Sequence, residues 1–337
     1  MLFQAGKKPW FTILIVLVVA FHQKLLAQPA GIPRDTSYNV AATHRKIAKA
    51  FPYAVPAKDS MPANVVAARN KVYTTLKATR FGDRDLHLDI FRPNNTQVLP
   101  ALVMIHGGGW RSGTKEMQVP MAQMLAAKGI VALPVEYQLS LEAGYPAALH
   151  NIKSAIRWLR AHAQEYHIDT ARIAISGCSA GGQLASLTGL TNYVSAMEGD
   201  HGNAGFSSAV NAIIDIDGVI DFMAPASLST ERKPNSADVE WLGGMFSEKP
   251  LIWKEASPIF SANEKRIVPM MFLNSGFPRF HAGQDELIGM LKQWNSYYEV
   301  HQFPVEVHPF WLFHPWVDEV VDHVAAFIQK VPTVQKK

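Results

Sequence analysis

One cysteine, Cys178, stands in the 337 residues, so no internal disulfide can form. Export without disulfides suits a bacterial periplasm better than a eukaryotic secretory route. Charge is scarce as well. Only 18% of residues are charged against 48% hydrophobic, which excludes a disordered or collagen-like polymer. The formal net charge is +4, and Lys7, Lys8 and Lys24 account for three of those charges. No basic run interleaved with aromatics occurs, so there is no electrostatic case for a nucleic-acid partner. None of the thirteen histidines is paired at H-x-x-x-H or H-E-x-x-H spacing, which argues against a metal site. Neither a P-loop nor a G-x-G-x-x-G is present, and no cofactor is expected. Long hydrophobic runs are also missing: Phe11 to Phe21 is cut by His22-Gln23-Lys24, short of the roughly 20 apolar residues that span a bilayer.

That short run has another use. Lys7 and Lys8 ahead of it and Leu25-Leu26-Ala27-Gln28 after it have the form of a secretory signal peptide over residues 1–27. The mature chain is therefore expected in the periplasm or outside a bacterial cell, without stable membrane insertion after cleavage. Residues 28–70, rich in Pro, Ala and polar residues, read as an N-terminal extension packed on a catalytic domain spanning 71–331.

From Val72 the pattern is α/β. Val72 to Thr75 and Leu86 to Phe91 predict two opening strands, with a turn at Gly82-Asp83. Short apolar runs at Ala101 to Ile105, Ile130 to Pro134, Ala212 to Ile216 and Val268 to Leu273 predict further strands, and Arg172 to Ser176 and Glu299 to Phe303 read as two more. Helical spacing between them predicts helices at Val119 to Lys128, Tyr145 to His162, Ser179 to Leu190, Asp285 to Trp294 and Val317 to Gln329. Alternation of this kind gives a mostly parallel central sheet with helices on both faces. Residues 222–266 break the rhythm and read as a small lid-like insertion.

Two motifs carry the chemistry. Gly177-Cys178-Ser179-Ala180-Gly181-Gly182 matches G-x-S-x-G, a sharp strand-to-helix turn that lifts a serine hydroxyl clear of a sheet. His106-Gly107-Gly108-Gly109-Trp110 follows a buried strand and offers backbone N–H groups to a developing oxyanion. Ser179 is the expected nucleophile, with the Ala180 and Gly108 amides as the oxyanion hole. His106 braces the loop, and Cys178 is a small buried filler.

A serine needs a base, and the base needs an orienting acid. Triads on such sheets run in the order Ser, acid, His. His308 and His314 both follow the last strand, and His308, farther from the closing helix, is the preferred base. The acid is expected after the strand ending near Leu273, yet residues 274–284 contain no carboxylate. Asp285 is the first available; Glu286 and Asp221 are alternatives, and Asp285 also suits the first turn of a helix. Arg279 and His281 in the same loop are placed to meet an anionic substrate or to pair with local carboxylates. Trp110, Trp241, Trp253 and Trp311 are candidates for a carbohydrate platform, Trp110 first among them, although aromatics so spaced are more often core.

The stretch from Val103 through Gly182 resembles the α/β-hydrolase superfamily, specifically bacterial carbohydrate esterases similar to the feruloyl and acetyl esterases of Bacteroidetes. The resemblance rests on the two motifs and on Glu136-Tyr137-Gln138-Leu139-Ser140, Tyr145-Pro146-Ala147-Ala148 and Ile156-Arg157-Trp158-Leu159-Arg160. Arg279-Phe280-His281-Ala282-Gly283-Gln284-Asp285 with His308-Pro309-Phe310-Trp311 is similar to a subgroup that includes pectin-active esterases. Gln138 and Asn151 depart from the Arg and Asp typical there. The resemblance implies an α/β-hydrolase fold and hydrolysis of methyl, acetyl or feruloyl esters on a plant cell-wall polysaccharide or oligosaccharide, pectin first. A serine peptidase of the same fold, or an inactive binding protein, are the alternatives.

Overall fold

Unbroken apolar runs become the middle of an eight-stranded sheet, because a strand covered on both faces needs no polar alternation. The computed structural model describes Met1 and residues 31–331, so the segment read as a signal peptide, from residue 2, and its expected cleavage site lie outside the described residues. The strands are β1 (Val65–Thr79), β2 (Gly82–Pro93), β3 (Leu99–Ile105), β4 (Val131–Val135), β5 (Ile168–Cys178), β6 (Ala212–Ile216), β7 (Met270–Asn274) and β8 (Tyr298–Gln302). Across the sheet their order is β1-β2-β4-β3-β5-β6-β7-β8. The pairs β1/β2 and β2/β4 are antiparallel, and every later pair is parallel.

Helices α1 (Val40–Ile47), α2 (Val119–Ala127), α3 (Ala147–Ala161), α4 (Ala180–Leu190), α5 (Pro225–Leu228), α6 (Ala237–Leu242), α7 (Pro250–Ala256), α8 (Gln284–Gln293) and α9 (Trp316–Lys330) accompany the strands. Successive residues of a strand point to opposite faces, and the core divides accordingly. Ala101, Val103 and Ile105 of β3 pack with Ile152, Ile156 and Leu159 of α3 and Leu184 of α4. Leu102 and Met104 pack with Leu125 of α2 and with Val317, Val320, Val321 and Val324 of α9. The latter four recur at i, i+3, i+4 and i+7, one stripe of a helix.

The first strand corrects the sequence reading. It begins at Val65, inside the segment read as extension, and the turn falls at Arg80-Phe81, ahead of Gly82. Register shifts between Ala68 and Lys71, Val72 and Thr74, and Leu76 and Thr79 interrupt the period of two, which hid most of the strand. The remainder of the extension lies against the α9 layer through Tyr38, Val40, Ile47 and Phe51. Val55 and Pro56 pair with His314 and Phe313, and the Ala57 N–H donates to the Leu312 carbonyl. The chain just before α9 is thereby laced down.

Residues 222–266 contain α5, α6 and α7 and sit beside the carboxyl ends of the parallel strands. Trp241 and Trp253 are buried rather than displayed, and Trp253 Nε1 donates to the Gly244 carbonyl. Truncating a buried tryptophan costs about 3–5 kcal/mol, so these two rings anchor the segment. Trp311 is buried as well. Of the four tryptophans considered for a platform, only Trp110 reaches the cavity described below.

Candidate active site

Strand β5 ends at Cys178 and α4 begins at Ala180, which leaves Ser179 to make the whole turn with φ 57° and ψ −122°. A non-glycine residue held there stores about 1–3 kcal/mol of strain. The surroundings impose the conformation. A Cβ on Gly177 would lie 1.9 Å from the Gly181 carbonyl oxygen, and one on Gly181 would lie 2.3 Å from that of Ile105. Glycine at both positions lets helix and strand approach at backbone distance. The Ser179 N–H donates to the Ile216 carbonyl at 2.7 Å, tying the bend to β6. Neighbouring Cys178 is buried, its thiol pushed up by that burial and in contact with the Gln118 amide. It is packing, not chemistry.

The Ser179 hydroxyl lies 2.8 Å from His308 Nε2. On its other side His308 Nδ1 donates to Asp217 Oδ2 at 2.8 Å, since an ionised carboxylate can only accept. Nε2 is then free to accept from the serine. The imidazole lies flat on Phe280, with 3.4 Å between ring centres and 10° between planes, and meets Trp311 edge-on at 5.2 Å. Burial pulls the His308 pKa below the ordinary imidazole value; Asp217 opposes this and the Arg279 charge adds to it. A neutral ring at neutral pH is what proton abstraction requires. His314 is held elsewhere, pairing with Val55 in the short ladder and donating from Nδ1 to Asp318 Oδ2 at 2.6 Å.

The carboxylate facing His308 is Asp217, which replaces Asp285 in the expected constellation. Asp285 is exposed in the first turn of α8, where the helix dipole suffices to explain an acidic residue, and Glu286 is exposed beside it. Asp221 uses its carboxylate on the Met223 N–H at 2.7 Å. Asp217 stands one residue beyond β6, only 1% exposed and at φ 53°. Burial alone would raise its pKa, but hydrogen bonds from His281, His308 and the Ser275 N–H outweigh it and hold the group below the carboxylate range. Its sequence signal was position: Ile216-Asp217-Gly218 ends the parallel strand next to the one bearing the serine.

The amides expected to receive an oxyanion sit where a helix begins. The Ala180 N–H opens α4 and has no intrahelical acceptor, and the dipole there favours negative charge. Against it lies the glycine loop: a Cβ on Gly107 would be 2.7 Å from the Cys178 carbonyl oxygen and 3.1 Å from Ser179 Cβ. Gly108 takes φ 126°, and its carbonyl accepts from the Ser112 N–H and hydroxyl, both at 3.0 Å. His106 is buried, stacks on Tyr137 and donates to the Gly107 carbonyl at 2.8 Å. Burial lowers its pKa to about 4, so it stays a neutral brace.

A cavity of about 330 Å³ opens over Ser179. Trp110, Phe222 and Phe280 form an apolar wall, and Glu231, Arg232, Asp238 and Arg279 a polar one. Trp110 stacks on Trp241 at 4.8 Å and donates from Nε1 to Gln183 Oε1. Arg232 is paired with Asp238 at 2.6 Å, whereas Arg279 is exposed with its guanidinium over the Phe280 ring. At the departures noted above, Asn151 Oδ1 accepts from the Gln138 N–H and Gln138 Nε2 donates to Glu142.

Sheet order, bend and helix placement define an α/β-hydrolase fold. The chain belongs to the BD-FAE family, whose model matches residues 88–287. It is 28% identical over 208 residues to esterase LipC of Mycobacterium tuberculosis, a match covering 60% of this chain and 51% of that protein. The chain thus spans about half the length of that relative. Among solved structures it is similar to a truncated form of a carbohydrate esterase from gut microbiota, with a TM-score of 0.68 and 21% identity over 82% of this chain and 99% of that one. It is also similar to apo Thermogutta terrifontis esterase 2, with a TM-score of 0.63 and 25% identity over 82% and 98% of the two chains.

Proposed function

We propose that the chain is a serine carbohydrate esterase that removes methyl, acetyl or feruloyl groups from plant cell-wall polysaccharide or its oligosaccharides, pectin first, after export from a bacterial cell. The observation that carries this reading is the continuous hydrogen-bond chain from Ser179 through His308 to Asp217 at the floor of an open cavity. Ser179 attacks the ester carbonyl while His308 takes its proton, and Asp217 stabilises the resulting imidazolium. The Ala180 and Gly108 amides receive the oxyanion; each such donor is worth about 2.7–4 kcal/mol of barrier. His308 returns the proton to the leaving alcohol. Water, activated by the same imidazole, then releases the acid. Support for a sugar-bearing substrate comes from the carbohydrate esterase of similar fold and from the cavity's division into apolar and polar walls, with Trp110 and Arg279 offered as contacts.

The test is release of methanol, acetate and ferulate from methylated and acetylated pectin, acetylated xylan and a feruloylated oligosaccharide. At least one product is expected, falling by roughly six orders of magnitude in kcat for Ser179→Ala. Methanol alone would make it a pectin methylesterase. No release from any polymer would overturn the carbohydrate assignment, and failure to cleave a chromogenic acetate as well would overturn the esterase.

A further inference from the structure

The loop after β7, where an acid was expected, instead surrounds the acid supplied by β6. Its Ser275 N–H donates to Asp217 Oδ1 at 2.7 Å, and His281 Nε2 lies 3.1 Å from the same oxygen. Phe280, between them in sequence, covers the face of His308. Asp217 therefore holds two imidazoles, His308 on Oδ2 and His281 on Oδ1, and is itself fully enclosed. A carboxylate that can only accept fixes the hydrogens: Nε2–H of His281 points at Asp217, as Nδ1–H of His308 does.

We propose that His281 is a positioning residue of the catalytic system, the fourth link of the series Ser179–His308–Asp217–His281, acting by holding Asp217 and sharing its negative charge. This rests on the esterase reading above. Two consequences follow from electrostatics. A donor on Oδ1 prevents the carboxylate from rotating away from His308; the backbone of Asp217, at φ 53° with its N–H on the Leu273 carbonyl, does not by itself fix that rotation. It also draws charge toward Oδ1, so His308 feels a weaker anion than an Asp with one donor would present. The charged and titratable groups around this pair are Asp217 and Asp215 at the end of β6, with Arg279 and His281 from the β7 loop. His281 spends Nε2 on the Asp217 carboxylate, on the side away from His308, so it acts through Asp217.

The experiment compares His281→Leu with His281→Gln in the full chain, using a chromogenic acetate across pH 4.5–9 and thermal melting as the folding control. Loss of one hydrogen bond to a charged group predicts a fall in kcat of about ten- to a hundredfold in His281→Leu, with KM nearly unchanged. The acid limb of kcat/KM should move to higher pH, because His308 regains the undivided anion. Gln can place an N–H where Nε2–H stands and should restore kcat and the limb toward wild type. The proposal is overturned if His281→Leu keeps kcat within twofold and an unmoved acid limb. It is equally overturned if folded His281→Gln is as impaired as His281→Leu, which would assign the effect to ring packing. An inactive wild-type protein would instead sink the esterase reading.

Discussion

The serine bend and the acid corner lie within a few ångströms of one another but are held by different means. The bend is six consecutive residues, 177–182, and its geometry is enforced by backbone touching backbone, with no room for a Cβ at Gly177 or Gly181. The acid corner has no such local origin. Asp217, Ser275, Phe280, His281 and His308 come from three strand ends and meet through side-chain hydrogen bonds and ring stacking. A motif can record the first kind of site. The second leaves no contiguous trace, and its members tolerate relocation so long as the distances survive.

The sharpest test of this contrast exchanges the two candidate acids. Asp217→Asn is expected to lower kcat about 10⁴-fold, the scale for losing a triad acid, while Asp285→Asn should stay within twofold. Steady-state kinetics of both variants on a chromogenic acetate decide it, and the reverse ranking would return the acid to α8. On the side of the bend, Gly181→Ala places a methyl 2.3 Å from the Ile105 carbonyl oxygen. Backbone cannot retreat as a side chain can, so a loss of about 3 kcal/mol is expected by chemical denaturation, the upper end for overpacking.

The smallest effect separates two acids in the corner itself. Two residues before Asp217, Asp215 is 2% exposed and accepts from the Ser186 hydroxyl and the Gly218 N–H, both at 2.6 Å. Burial raises its pKa from 3.8 to about 7, whereas Asp217, with two imidazoles and an amide, stays ionised. Between about pH 4 and 7 the native state therefore keeps a proton on Asp215 that the unfolded chain has lost. The sign follows: this contribution is full below the unfolded value and is lost as pH rises to 7, at about 1.4 kcal/mol per unit. Asp215→Asn, a neutral isostere, should abolish that slope. Denaturation at pH 5 and pH 7 should show wild type losing about 2 kcal/mol relative to the variant, and equal slopes would remove the account.

Much of the fold was legible because its causes are local. Ala101 to Ile105 and Ala212 to Ile216 read as buried strands from apolar runs alone, and α9 from a stripe at helical spacing. β1 was read short because its register shifts break alternation, a property of its pairing with β2 and not of its own residues. Trp241, Trp253 and Trp311 looked like a possible display surface, yet the helices of 222–266 and the α9 layer fold over them. In the site, Ser179 and the glycine loop were evident in the chain, and His308 was distinguished from His314 by its distance from the closing helix. Asp217 carries no motif of its own, and only the packing of β6 beside β7 brings it to His308 in place of an acid from the loop after β7.

The sequence alone determined the sheet, the strained serine and the amide-bearing loop, since apolar periodicity and missing side chains act on neighbours in the chain. Only the tertiary structure decided which carboxylate faces the imidazole. That choice depends on a 2.8 Å contact between residues 91 positions apart, and such a distance is set by how the ends of β6, β7 and β8 pack together.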